Sequence, residues 1–110
     1  MDRIKKYQDA IIDLLQQYQQ AGSQDETFLI TDREHNHFQV MSAGWQDEDS
    51  FTMGILLHFQ IKPDNKIWIL ANWTEDDVAQ ALVNRGIPKS DIVLGFHPKY
   101  VRQYSGYAVA

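Results

Sequence analysis

Apolar residues at the start of the chain recur at intervals of three and four. Ile4, Tyr7, Ile11, Leu14 or Leu15, and Tyr18 fall on one face of a helix, and Gly22 and Ser23 predict its end. The Gln-rich face (Gln16, Gln17, Gln19, Gln20) reads as solvated. The period then changes. Thr27 to Asp32 is β-branched and apolar, Glu34 to Asn36 makes a turn, and His37 to Trp45 returns as a second strand in which Gly44 allows a bend or bulge. In FTMGILLHFQIK, Phe51, Met53, Ile55, Leu57, Phe59 and Ile61 alternate with more polar neighbours, which predicts a strand with one face against a core. Lys62 to Asn65 is a turn with its φ set by Pro63, and Lys66 to Asn72 pairs back. The simplest arrangement is a four-stranded antiparallel meander.

Thr74 predicts the start of a second helix as its N-cap, with Asp77 three residues later as a weak variant of the capping box. Glu75, Asp76 and Asp77 resemble catalytic material, but carboxylates are favoured at a helix start by the dipole, and that is the reading adopted. Val78, Ala81, Leu82 and Arg85 continue the helix, Gly86 ends it, and Pro88 forbids continuation. KSDIVLGF is a fifth strand or a helical turn. Pro98 suits the first position of a short helix, KYVRQY, which Ser105-Gly106 breaks. The predicted fold class is α+β in a single domain, 1–110. An antiparallel four- to five-stranded meander sheet carries an N-terminal helix, a second helix near 75–85 and a short C-terminal helix, packed mainly on one face.

With 110 residues the chain can bury about two-thirds of its unfolded surface, and 44% hydrophobic residues argue against disorder. There is no cysteine, which removes disulfides, thiol chemistry and cysteine-ligated zinc and is compatible with a reducing cytoplasm. MDRIKKYQDAII lacks the apolar run of a signal peptide, and no stretch approaches the ~20 apolar residues of a membrane span, so a cytoplasmic protein without membrane contact is expected. A net charge of −5 does not suit a protein that coats nucleic acid. The charge is uneven. Arg85, Lys89, Lys99 and Arg102 stand near the C-terminus against Asp91 alone, whereas Asp25, Glu26, Asp32, Glu34, Asp47, Glu48 and Asp49 face a single Arg33.

Several motifs together carry a likeness. They are the amphipathic first helix with Tyr7, the strand bearing Gly44-Trp45, KIWI (Lys66 to Ile69), TED (Thr74 to Asp76), and above all the block GIPKSDIVLGFHPKYVRQYSGYAVA from Gly86 to Ala110. On these the sequence resembles the XisI-like family of small excision-controlling factors over nearly its whole length. It departs in having Lys99 after Pro98 where a second proline is common, and Trp73 where a polar residue precedes the TED motif. The resemblance implies a control factor in the excision of a DNA element, acting beside a recombinase and a second small protein, XisH. It supplies no catalytic residues to carry over.

The residues themselves offer no common catalytic grammar. GxSxG, GxxxxGK and GxGxxG are absent. His35-x-His37 straddles a turn, and no third ligand follows at a diagnostic spacing, so the two read as ordinary polar turn residues. His58 falls opposite the core face of its strand. Asp64-x-Lys66 behind Asp47 to Asp49 faintly resembles a metal-dependent nuclease, but Asp and Asn are expected in that turn for backbone reasons. No catalytic residues, no metal and no cofactor are expected, and the protein is read as no enzyme. A binding surface remains. Phe96, His97, Lys99, Tyr100, Arg102, Tyr104 and Tyr107 mix cations with aromatic rings, which suits a protein interface, a nucleic-acid contact or a segment docked on its own sheet. Docking is expected for Tyr100, Tyr104 and Val109, leaving Lys99 and Arg102 outside. The candidate partner- or nucleic-acid-binding residues are therefore Arg85, Lys89, His97, Lys99 and Arg102. The primary expectation is a non-enzymatic accessory factor that binds a protein partner such as an XisH-like protein. The alternative is direct DNA binding through the basic-aromatic segment. A homodimer is expected to suit the second sheet face, where Leu56, Trp68 and Leu70 add apolar residues.

Overall fold

The computed structural model describes residues 2–19 and 25–109. The helix stop expected at Gly22 and Ser23 lies outside the described residues. Helix α1, Arg3–Leu15, is capped by Asp2, whose Oδ1 accepts from the Ile4 amide at 2.9 Å. It buries Tyr7, Ile11, Leu14 and Leu15, and one 3-10 turn, Gln16–Tyr18, continues it.

Strands β1 (Asp25–Asp32), β2 (His37–Trp45), β3 (Phe51–Ile61) and β4 (Ile67–Asn72) form the predicted antiparallel meander in chain order. Asn36 (φ 61) and Asn65 (φ 64) occupy the left-handed turn positions of two hairpins, a conformation asparagine tolerates better than most side chains. The stretch after Pro88 takes both forms considered for it. Lys89–Asp91 is a 3-10 turn, and β5, Ile92–Leu94, follows. β5 lies parallel to β4, because the chain returns through helix α2, Val78–Asn84, rather than a hairpin. The sheet is therefore mixed.

α2 starts later than the sequence predicts. Thr74 is held back by the side chain of Asn72, whose Oδ1 accepts from both the Thr74 amide (2.9 Å) and hydroxyl (2.6 Å). Asp77 takes over as N-cap and accepts from the Gln80 amide at 3.0 Å. Gly86 ends the helix with φ 91, and the Ile87 amide donates to the Leu82 carbonyl at 3.1 Å, which turns Ile87 into the core. α1 and α2 pack on the same face of the sheet, over Phe38, Val40, Leu57, Phe59, Ile61, Ile67, Ile69 and Ile92. The polar Gln8 is buried beside them, and its carboxamide is satisfied. It donates to the Arg33 carbonyl at 3.0 Å and to Asn36 Oδ1 at 2.6 Å, and it accepts from the Arg33 guanidinium at 3.1 Å.

One expectation fails in half of a strand. Leu57, Phe59 and Ile61 are buried, but Phe51, Met53 and Ile55 are 52%, 60% and 41% exposed. The pairing gives the reason. Val40 faces Leu57, yet the next residue, Met41, faces Ile55, so Leu56 is an extra residue on β3. A bulge of one residue reverses the side-chain alternation relative to the partner strand. The apolar set before Leu56 therefore points away from the helices, and Thr52 and Gly54 pair with Gly44 and Ser42 on the helix side. Among the described residues no helix is long and apolar enough to cross a membrane.

Candidate functional site

Helix α3, Lys99–Arg102, begins one residue after Pro98, which takes the cap position rather than the first helical one. Its anchor is Arg102. The guanidinium lies 5.3 Å from the ring centroid of Trp68, Nε donates to the Val109 carbonyl at 2.7 Å, and Nη1 donates to the His97 carbonyl at 2.9 Å. Trp68 alternates with the buried Ile67 and Ile69, so α3 lies on the sheet face away from α1 and α2. Beyond Gly106 the tail runs along the edge of β5. The Ala108 amide donates to the Ile92 carbonyl at 2.8 Å, and Tyr107 packs against the core with the Lys89 ammonium 5.6 Å from its ring.

The expected docking thus occurs through different side chains. Tyr100 and Tyr104 are 71% and 84% exposed, and Val109 is also exposed. The two tyrosines fall on the outward side of a single short turn whose inward side is taken by Arg102. Arg102, expected outside, holds the segment shut. Of the other candidates, Arg85 joins the helix layer: Nε donates to Asp13 Oδ2 at 3.0 Å and Nη1 to the Ala81 carbonyl at 3.1 Å. The His97 ring stands 4.5 Å from that of Phe96. Lys89 and Lys99 are exposed, so the structure brings His97, Lys99 and Arg102 into one segment and leaves Arg85 apart from it.

Trp73 is a residue that composition alone did not single out for binding. It follows β4, its amide donates to the Leu56 carbonyl at 2.9 Å, and its side chain is 78% exposed. With Leu70, Ala71, Asn72 and Phe96 it lines a groove of about 320 Å3. The signal available in the sequence was the presence of tryptophan where the resemblance leads one to expect a polar residue.

Of the four histidines, His37 and His58 meet across β2 and β3, while His35 turns to a carboxylate. His35 Nδ1 lies 2.8 Å from Asp32 Oδ2, whereas His37 Nδ1 lies 3.0 Å from His58 Nε2. Among the described residues no group of three or more side chains could share a metal ion. Asp64 serves its turn, with Oδ1 accepting from the Lys66 amide at 2.9 Å and Oδ2 from the Trp68 indole at 3.1 Å. Burial, and then the neighbouring His37, push the His58 pKa below its ordinary value. As pH falls through 6.5 the unfolded chain takes up a proton that folded His58 refuses until its own lower pKa, so stability is expected to decline across that window. Urea midpoints between neutral and mildly acidic pH should show the decline, and His58→Gln should flatten it. An unchanged slope in the variant would assign the effect elsewhere.

Three comparisons bear on this arrangement. The protein-family model described as XisI protein matches residues 1–109. Curated proteins give no match. Among solved structures, a XisI-like protein from Anabaena variabilis is similar at 41% identity and a TM-score of 0.87, covering 97% of this chain and 99% of that one. The fdxN element excision controlling factor XisI from Anabaena variabilis is similar at 27% identity and a TM-score of 0.84, covering 99% and 100%.

Proposed function

The chain belongs to the XisI family, and on that footing we propose that it is an accessory control factor in the excision of a DNA element, working by contact with a protein partner of the XisH type and performing no chemistry of its own. The observation that carries the reading is the exposed Trp73–Phe96 groove. Tryptophan and other aromatic anchors beside a shallow apolar recess are what protein interfaces concentrate, and the His97 ring stands against Phe96 of that recess. Direct DNA binding draws less support. Two of the five candidate cations and rings, Arg85 and Arg102, are engaged with the protein's own carboxylate and carbonyl groups, which leaves Lys89, His97 and Lys99 of that set for phosphates.

A pull-down with an XisH-type protein is expected to retain it, and the pair Trp73→Ser and Phe96→Ser is expected to weaken retention about tenfold or more, the scale of losing an interface anchor. The protein alone is expected to leave duplex DNA unretarded at physiological salt. Retardation that fades with added salt and disappears in Lys89→Ala plus Lys99→Ala would establish the DNA reading instead. Arg102 is unsuited to that test, because its loss would open the C-terminal segment.

A further inference from the structure

The sheet face opposite α1 and α2 has two unlike halves. Over β4 and β5 it is covered by α3, which stands on Trp68. Over β1 to β3 the described residues set no helix on it. There the pairs Trp45–Phe51, Ala43–Met53 and Met41–Ile55 continue onto Phe28, opposite Met41, and Ile30 lies on the same side. Five of these residues, Ile30, Trp45, Phe51, Met53 and Ile55, are 41–60% exposed. Trp45 and Phe51 meet edge to face with centroids 5.2 Å apart. The bare half is bordered at one end by acids, Glu26 and the exposed loop Asp47, Glu48 and Asp49. The covered half presents the opposite character, with exposed Lys99, Tyr100 and Tyr104 on the outer side of α3.

We propose that this face binds a second copy of the chain about a twofold axis, with α3 of each copy seated on the bare β1–β3 half of the other. The face is a step, one half raised by the thickness of a helix, so two such faces related by a twofold rotation interlock. Lys99 on the helix is opposite in charge to the acids that border the patch, and the tyrosines beside it would cover apolar side chains. An isologous contact uses each surface twice, so a patch of modest size is buried in duplicate. Contiguous apolar patches on single domains mark interaction sites, and here both complementary surfaces lie on one molecule. The sequence expectation of a dimer through Leu56, Trp68 and Leu70 is relocated. Trp68 is already covered by Arg102 and by the Lys62 ammonium, 4.0 Å from its ring, and Leu56 packs against the core.

Sedimentation equilibrium tests this at about 10–100 μM, where a standard interface associates. The expected mass is twice 12.8 kDa. Met53→Glu, at an exposed strand position, and Lys99→Glu, on the opposite half, should each weaken association about tenfold or more while far-UV circular dichroism keeps the wild-type spectrum. Mixing the two variants should restore part of the association, because the mixed pair keeps one intact helix-on-patch contact. A monomeric wild type would overturn the proposal and leave the face to a different occupant. A dimer indifferent to Met53→Glu would place its interface elsewhere. A dimer broken by Met53→Glu but indifferent to Lys99→Glu, with no recovery on mixing, would overturn the helix-on-patch arrangement. None of these outcomes depends on the Trp73–Phe96 groove, so the partner-binding reading stands or falls separately.

Discussion

Phe59→Ala is expected to destabilise the protein by about 3–5 kcal/mol, the range for removing a large aromatic side chain from a closed core. Phe59 is fully buried in the central strand, paired with Phe38 on β2 and Ile69 on β4, both fully buried as well. The ring lies on the face roofed by α1 and α2, so its neighbours are held from several elements and cannot all close on the void. Against a total of about 5–15 kcal/mol for a domain, one such loss brings the variant close to unfolding at working temperature. Urea denaturation checks it: the midpoint should fall with little change in slope. Met53→Ala, six residues earlier on the same strand and 60% exposed, is expected within about half a kcal/mol of wild type when both are measured dilute enough to be monomeric. Equal losses at the two positions would contradict the division of β3 at Leu56.

Deleting Tyr107 to Ala110 is expected to lower stability by about 2–3 kcal/mol, combining partial burial of a large ring with the loss of hydrogen bonds. Tyr107 packs against the core cluster, the Ala108 amide closes on Ile92, and the Val109 carbonyl accepts from Arg102. Without the tail, Val93, fully buried and bridged to Ala108, gains an open side. Thermal or urea unfolding measures the difference. A truncated protein within half a kcal/mol of the full chain would show that the segment rests on the sheet without supporting it.

Much of this architecture was legible because its signals are local. The period-four apolar residues of α1, the alternation in β2 to β4 and the Gly86-x-Pro88 stop each depend on neighbours within a few positions. What escaped depends on long-range pairing. Alternation from Phe51 to Ile61 is unbroken in the sequence, and only the register against Met41 and Val40 shows that its two halves face opposite ways. Thr74 is a good cap by type, but the Asn72 carboxamide reaches it first. The C-terminal tyrosines have the composition of a core, and Arg102 that of a surface. The structure reverses them because a guanidinium can stack on Trp68 while donating to two carbonyls, whereas Tyr100 and Tyr104 fall on the far side of the turn. For the candidate site, the segment bearing His97 and Lys99 was visible in advance. Its apolar companion Trp73 was visible only as an oddity.

The extra residue at Leu56 acts as a phase inverter. A strand obeys a count of two, so a single inserted position lets one uninterrupted greasy sequence anchor the molecule at one end and advertise it at the other. Stickiness is then governed by chain length at one point, independently of hydrophobic content. Losing that position would turn the display inward without altering any remaining side chain, a far shorter evolutionary path than replacing Phe51, Met53 and Ile55 one by one.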